Sequence, residues 1–277
     1  MSYFLWDYSI IAPMIYIILA GTGFITGSIL FIILCKKTWQ FWRPALFLVL
    51  VNFFIYIIKF CPGIFNYSGL EENIKDPGFI GYLFLIVMGI PYDFIKLFTF
   101  MTVGLVLFKS LEIIPLTEKC EWKTFKFWSE VLFTSLIFIA ITEILIYIVK
   151  PVISEDGKKF LEIMMTVYTN RDFGSFHIAI CAPFTEEPSY RFFYLAIFLW
   201  LLKNFRFRWI VAILLSSLVW TFGHTGSLNP EWMRFIQIFT YGLLLGWLFK
   251  RRGLEACIVS HLISNIVLTA LHLHTEF

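Results

Sequence analysis

Long apolar segments restrict the fold of this chain more than any other feature of its sequence. Eight such segments can be drawn, and most approach the roughly 20 residues that a helix needs to cross a bilayer. Within a bilayer, only helices and closed barrels satisfy every backbone polar group. The predicted fold class is therefore all-α, a polytopic integral membrane protein with about eight transmembrane helices. The segments are residues 10–34, 44–65, 79–108, 130–149, 176–202, 209–224, 234–249 and 254–273.

The composition agrees with a membrane protein and argues against other classes. Hydrophobic residues make up 59% of the chain and charged residues only 15%, whereas a soluble domain has about 25% charged residues. The net charge of +3 is too small to indicate nucleic-acid binding. The five cysteines lack a Cys-x-x-Cys spacing, so the sequence predicts neither a disulfide framework nor a structural zinc site. The expected partner is thus the lipid bilayer.

Basic residues between the apolar segments predict an orientation. Lys and Arg are concentrated in four loops, whereas Arg234 is alone at the sixth connection. Loops rich in Lys and Arg usually remain in the cytoplasm. With eight spans, we predict that both termini are non-cytoplasmic, in a membrane that the sequence does not specify. The four basic loops are residues 35–43, 109–129, 203–208 and 250–253.

One apolar segment contains three formal charges: Glu186, Glu187 and Arg191. A charge near the bilayer centre costs about 2.5–3.5 kcal/mol on insertion scales, so each must face protein or a water-filled cavity. Glu187 and Arg191 are four residues apart and share one face of a helix, where they can pair. The simplest interpretation is a structural ion pair that orients the neighbouring Glu186. Glu186 points about 100° away and is left for another role.

Two later segments carry polar pairs at the same spacing, Trp220 with His224 and His261 with Asn265. A buried Glu186 is suited to activate water as a general base, and His224 to share that water or shuttle its proton. His261 and Asn265 are suitable donors to an oxyanion. Each group alone also fits a buried hydrogen bond or a proton relay, and Trp220 fits packing. Together they are the parts needed to hydrolyse an amide.

The helical rise predicts that these groups converge. At 1.5 Å per residue from the basic loops, Glu186 and His224 lie roughly 25 Å, and Asn265 about 20 Å, from the cytoplasmic ends of their helices. His261 is predicted one turn lower than Asn265.

Pro188 predicts an interruption beside the glutamates. Proline lacks an N–H and is tolerated only in the first turn of a helix. With Thr185 as the N-cap, the two glutamates and Pro188 would occupy the first three helical positions. We therefore predict a break or sharp kink near residues 183–188.

Three motifs resemble the signatures of the CAAX prenyl endopeptidase and bacteriocin-processing family, whose best-known branch is the type-2 CAAX protease, or Ras-converting enzyme. They are Glu-Glu-x-x-x-Arg from Glu186, aromatic-x-x-x-His from Trp220 and His-x-x-x-Asn from His261. The resemblance covers about residues 120–273. We accordingly divide one membrane domain into residues 1–115, helices of unassigned role, and 116–277, a protease-like core.

The resemblance implies an intramembrane endopeptidase that cuts near the C-terminus of a lipid-anchored or membrane-embedded protein. It implies a glutamate protease in which Glu186 with His224 activates water, while His261 with Asn265 stabilises the oxyanion. No metal or other cofactor is implied. Trp220 stands where phenylalanine is usual in the family, and we expect this difference to alter packing only. The implied catalytic residues are Glu186, His224, His261 and Asn265, and the supporting residues are Glu187, Arg191 and Trp220.

Three alternatives remain open. A Glu/His/His cluster can hold zinc, which makes a metalloprotease the alternative enzyme class. The family also contains members that bind or protect a membrane partner. A proton-coupled transporter is the third hypothesis, although ionisable residues do not recur at matching positions in the two halves.

Residues 121–128 fit either a short interfacial helix or the aromatic flank of the fourth span.

Overall fold

The computed structural model describes residues 50, 90–116, 121–155, 157–158, 171–224 and 226–272. The first predicted span, nearly all of the second and the start of the third lie outside these residues. The predicted division at residue 115 therefore stays a prediction, as does the count of eight spans.

The described residues are almost entirely helical, in agreement with the predicted all-α class. A π-helical segment, Pro188–Tyr194, joins the helix that ends at Glu187 to the helix that begins at Leu195, and a 3-10 turn, Glu121–Lys123, precedes the helix that begins at Phe125. Two short antiparallel strands, β1 (Val152–Ile153) and β2 (Leu228–Asn229), pair with Val152 opposite Asn229. The helices are α1 (Ile90–Ser110), α2 (Phe125–Val149), α3 (Arg171–Glu187), α4 (Leu195–Leu201), α5 (Arg208–Phe222), α6 (Glu231–Arg252) and α7 (Leu254–His272).

Three of these helices, α2, α6 and α7, are long and apolar enough to cross a membrane. They correspond to the predicted spans 130–149, 234–249 and 254–273. Helix α5 is apolar but has only 15 residues. The predicted span 176–202 is the continuous unit formed by α3, the π segment and α4. The protein is thus an integral membrane protein, with three candidate spanning helices in the described part.

The start of α2 favours one of the two interpretations of residues 121–128. Thr124 is the N-cap, and its hydroxyl accepts a hydrogen bond from the N–H of Phe127 at 3.2 Å. Trp128 Nε1 donates to the carbonyl of Trp122 at 2.7 Å, and the Phe125 side chain is exposed. These aromatic residues therefore flank the start of a long helix instead of forming a separate one.

The helix runs on through residues 183–188, so the predicted break and the predicted helix start at the glutamates are wrong, whereas the alternative of a sharp kink stays a prediction. Glu186 and Glu187 are the last two residues of α3, and Pro188 begins the π segment, with Glu187 in the right-handed helical conformation at φ −61° and ψ −41°. In a π-helix each N–H bonds five residues back, so the carbonyl that an α-helix would pair with the proline can pair one residue later. The Ser189 hydroxyl also donates to the Thr185 carbonyl at 2.9 Å. Thr185 is thus an interior residue of a continuous helix and not an N-cap.

The π segment is held at the centre of the described structure, where all seven of its side chains are buried. The Phe193 ring stacks on Phe100 of α1 with ring centroids 3.9 Å apart. Gly104 of α1 faces Phe192, and an added Cβ there would lie 2.5 Å from the Phe192 ring. Glycine is therefore required where α1 crosses the segment that follows the two glutamates.

Buried polar contacts join the helices around the site. The Ser135 hydroxyl of α2 donates to the carbonyl of Ser260 on α7 at 3.1 Å. The Tyr241 hydroxyl of α6 donates to Ser264 Oγ on α7 at 2.9 Å, while its ring stacks on Phe138 of α2 at 3.6 Å. Because the hydrophobic effect contributes little to helix association within lipid, such contacts and close packing determine the arrangement of the helices.

Candidate active site

Glu186 and His224 face each other across the junction of α3 and α5. His224 Nε2 lies 3.4 Å from Glu186 Oε2, and their side chains are 22% and 23% exposed, respectively. The same carboxylate oxygen accepts a hydrogen bond from Trp220 Nε1 at 2.8 Å. The two residues predicted to activate water thus form a pair that remains accessible.

The hydrogen bonds of His224 restrict where its proton lies. His224 Nδ1 is 2.9 Å from the carbonyl oxygen of Trp220. A carbonyl can only accept, so Nδ1 must carry the hydrogen. In neutral imidazole the lone pair is then on Nε2, which faces the carboxylate of Glu186. A shared proton or a water molecule between Nε2 and Oε2 removes the repulsion between these two acceptors.

Glu187 lies in a second, fully enclosed cluster. Its Oε1 is 2.8 Å from His261 Nδ1, and its Oε2 is 3.5 Å from Arg191 Nε, with both members of the Glu187–Arg191 pair 0% exposed. The predicted pairing of Glu187 with Arg191 is confirmed. The sequence did not indicate the contact with His261, because sequence spacing predicts contacts within one helix and not between two helices.

Electrostatic contacts, and not hydrogen bonds, hold the Arg191 side chain in the described part of the structure. The 3.5 Å contact with Glu187 lacks hydrogen-bond geometry, and within the described part of the chain its guanidinium nitrogens make no hydrogen bond. The guanidinium carbon instead lies 4.5 Å from the centroid of the Trp220 ring. An ion pair and a cation–π contact therefore stabilise this buried cation together.

Trp220 connects the two clusters. Its ring centroid is 5.3 Å from that of His224 and 5.5 Å from that of His261, and both pairs meet edge to face. Its N–H is bonded to Glu186. The expectation that Trp220 instead of phenylalanine changes packing only is therefore wrong, since phenylalanine has no donor for the carboxylate.

Asn265 contacts α3 at a different level from Glu186. Its Nδ2 donates to the carbonyl of Ala179 at 3.2 Å, seven residues before Glu186, or roughly 10 Å along the helix. His261 meets α3 at Glu187. The predicted levels are thus wrong: His261, and not Asn265, lies level with the glutamates, and Asn265 lies further along α3 from them. A carboxamide has two N–H groups, so Asn265 retains a second donor beside this contact.

Arg234 is a charged residue near the site that the sequence did not indicate. We counted it as a loop residue, but it lies in the first turn of α6 with its Nε buried. The charge of Glu186 acts on its guanidinium, although the two groups form no ion pair. A basic residue at the edge of a predicted span was the available signal.

Other ionisable residues lie away from these clusters. Glu143 of α2 pairs with His272 at 2.7 Å near the end of α7 and so connects these two helices. Among the residues described, no group of three or more His, Cys, Asp or Glu side chains is placed to hold a metal ion. The Glu186–His224 pair provides two ligands, one fewer than catalytic zinc sites take from protein.

Comparison with known families identifies the segment that contains both clusters. Residues 173–267 match the family described as type II CAAX prenyl endopeptidase Rce1-like. This segment is similar to that family. The resemblance inferred from the three motifs is confirmed, since the match encloses all of them, and it is narrower than the predicted extent of 120–273.

One curated relative is similar to about a third of the chain. The sporulation-killing factor biosynthesis protein SkfC of Bacillus subtilis (strain 168) is 31% identical over 99 residues, which are 35% of this chain and 19% of SkfC. The matched segment thus spans about a fifth of the length of this relative. No solved structure matches the chain.

Proposed function

We propose that this protein is an intramembrane endopeptidase that hydrolyses a peptide bond near the C-terminus of a lipid-anchored protein by glutamate-activated water. The observation that carries the proposal is the placement of Glu186 Oε2 3.4 Å from His224 Nε2, with both side chains partly accessible. The neighbouring Glu187 is fully enclosed. This contrast supports Glu186, and not Glu187, as the base.

The proposed reaction begins with a water molecule held between Glu186 and His224. Glu186 takes a proton as the water oxygen attacks the carbonyl carbon of the substrate, and His224 holds the water in place. The C–N bond of the tetrahedral intermediate then breaks, and the leaving amine receives a proton from Glu186. The Trp220 N–H keeps Oε2 in position throughout, because it bonds the same oxygen that faces His224.

In this proposal His261 and Asn265 stabilise the oxyanion. Because His261 Nδ1 donates to Glu187, the other nitrogen, Nε2, can donate only if the ring is a doubly protonated imidazolium. Glu187 orients the His261 ring through this hydrogen bond, and Arg191 lies 3.5 Å from the other carboxylate oxygen of Glu187.

Activity against a prenylated C-terminal peptide tests the mechanism, with protein purified in lipid. Glu186→Gln should reduce kcat/KM by about 10²–10⁴-fold, the usual contribution of a general base. The matched control is Glu155→Gln, the same substitution at a carboxylate whose side chain is 81% exposed and paired with Lys158. This control should retain wild-type activity.

The outcomes separate the hypotheses. Equal cleavage by the wild type and Glu186→Gln would rule out the proposed base. Absence of cleavage by a folded wild type would favour a member that binds or protects a membrane partner. The transporter hypothesis needs paired broken helices, whereas the described helix that carries the glutamates runs continuously from α3 to α4.

A second substrate class follows from the relative SkfC. Its name assigns it to the biosynthesis of a sporulation-killing factor, and we propose a precursor peptide without a prenyl group as the second candidate substrate for this chain. Cleavage of an unprenylated precursor peptide, but not of the prenylated peptide, would favour this class with the same catalytic residues.

A further inference from the structure

The side chain of Arg234 is fixed by a chain of polar contacts between two helices. Arg234 Nη1 donates to Gln237 Oε1 at 2.7 Å, one turn further along α6. Gln237 Nε2 in turn donates to Thr142 Oγ1 of α2 at 3.1 Å. Gln237 and Thr142 are buried. The guanidinium is therefore held in one orientation instead of extending freely from the helix.

One donor of this guanidinium is unsatisfied. Its Nε is buried and makes no hydrogen bond with any residue that the structure describes. The Nε–Nη2 edge is the fork that binds a carboxylate with two parallel hydrogen bonds. A buried donor without a partner is costly, and a charged one is more so. An anion that arrives with a ligand would complete the site.

Arg234 is placed beside the Glu186–His224 pair. The charge of Glu186 acts on its guanidinium. The rings of Phe222, at the end of α5, and Phe235, next to Arg234, meet with centroids 5.9 Å apart. This contact joins the first turn of α6 to the end of α5, which leads directly into His224. The unsatisfied edge is thus part of the surroundings in which a substrate would bind.

We infer that Arg234 binds the C-terminal carboxylate of the substrate, so that the enzyme recognises a free chain end a few residues beyond the cleaved bond. This inference rests on the proposed function. An extended residue spans about 3.3–3.6 Å, so a carboxylate two or three residues past the cleaved bond lies roughly 7–10 Å away. Such a separation keeps the substrate carboxylate apart from Glu186.

The test compares two fluorescent prenylated peptides of one sequence, with a free C-terminal carboxylate or a C-terminal carboxamide. Their Kd values are measured by fluorescence anisotropy with the full chain in nanodiscs, together with their cleavage. The wild type should bind the acid about 10- to 150-fold more tightly, the range for hydrogen bonds to charged groups. Arg234→Gln should bind both peptides equally, with the affinity of the wild type for the amide.

The matched control is Arg251→Gln, the same substitution in the last turn of α6. Arg251 is 44% exposed and pairs with Glu130 at 2.8 Å, away from the glutamates of α3. This variant should keep the preference for the acid. Arg234→Lys retains the charge but not the fork, and should keep only part of the preference.

Equal binding of acid and amide by the wild type would overturn the inference without reference to any variant, even if Arg234→Gln did not fold. So would an unchanged preference in Arg234→Gln. Cleavage of both peptides with equal efficiency and affinity would leave the proposed function standing and the carboxylate site refuted. Tighter binding of the acid that depends on Arg234, without cleavage of either peptide, would support the carboxylate site and refute the proposed function. Arg234-dependent binding of phosphatidic acid, with equal binding of the two peptides, would assign the guanidinium to lipid and overturn the inference.

Discussion

Replacing Trp220 by phenylalanine separates packing from hydrogen bonding at the site. Phenylalanine keeps a six-membered ring between the two histidines but removes the N–H that donates to Glu186 Oε2 at 2.8 Å. A hydrogen bond to a charged group contributes about 1.5–3 kcal/mol. If that contribution holds Glu186 in its reactive position, kcat should fall by about 10- to 150-fold, since 1.4 kcal/mol corresponds to tenfold.

Steady-state cleavage of a prenylated peptide measures this effect, with thermal unfolding in the same detergent as the stability readout. We expect kcat to fall and KM to change little, because Trp220 positions the base and is not proposed to bind the substrate. The matched control is Trp209→Phe in the same helix, where the ring lies 5.6 Å from Lys250 Nζ. An unchanged kcat for Trp220→Phe, with unchanged stability, would refute the positioning role.

Three further predictions concern stability and metal dependence. Glu187→Ala should destabilise the protein by about 3–5 kcal/mol, because it leaves buried Arg191 without its carboxylate; thermal unfolding in detergent measures this, and a change below 1 kcal/mol would contradict the pairing. Gly104→Ala should cost about 1–3 kcal/mol in the same assay, because the new Cβ would lie 2.5 Å from the Phe192 ring; an unchanged unfolding temperature would show that α1 can shift at no cost. Treatment with EDTA should leave cleavage unchanged, and activity lost to EDTA and restored by zinc would favour the metalloprotease.

Relations within one helix were predictable from the sequence. The hydrophobic segments gave α2, α6 and α7 close to their observed bounds, because a span needs a minimum apolar length. The spacing of Glu187 and Arg191 gave their pairing, because residues four apart share one face of a helix. The three motifs also gave the Rce1-like segment. Each of these inferences depends only on local periodicity or on a short pattern.

Relations between helices were not predictable. Glu187 and His261 are 74 positions apart in the sequence, and no short spacing predicts their contact. The helical rise counted from the basic loops placed His261 nearer the cytoplasm than Glu186, because it assumed straight helices that begin at those loops. Arg234 was assigned to a loop because a charge at a span edge is usually solvated. Its contact with Gln237 and the neighbouring α2 becomes visible only in three dimensions.

The proline prediction failed for a physical reason that is specific to this helix. The sequence argument considered only an α-helix, in which Pro188 leaves a carbonyl without a donor and forces an end. The π segment provides another solution by moving the bonding partner one residue along. The glutamates consequently belong to the end of α3 and not to the first turn of a new helix.

The π segment also determines how the chain tolerates changes in length. A π turn holds about one residue more than an α turn, so removal of one residue between positions 188 and 194 would restore regular α geometry. The side chains of α4 would then keep nearly their present faces relative to the glutamates, because the wide turn absorbs the additional residue. The change would fall on the segment itself, where Phe193 now stacks on Phe100 with ring centroids 3.9 Å apart. The π segment therefore confines a one-residue change in length to its own seven residues and leaves the two flanking helices in phase.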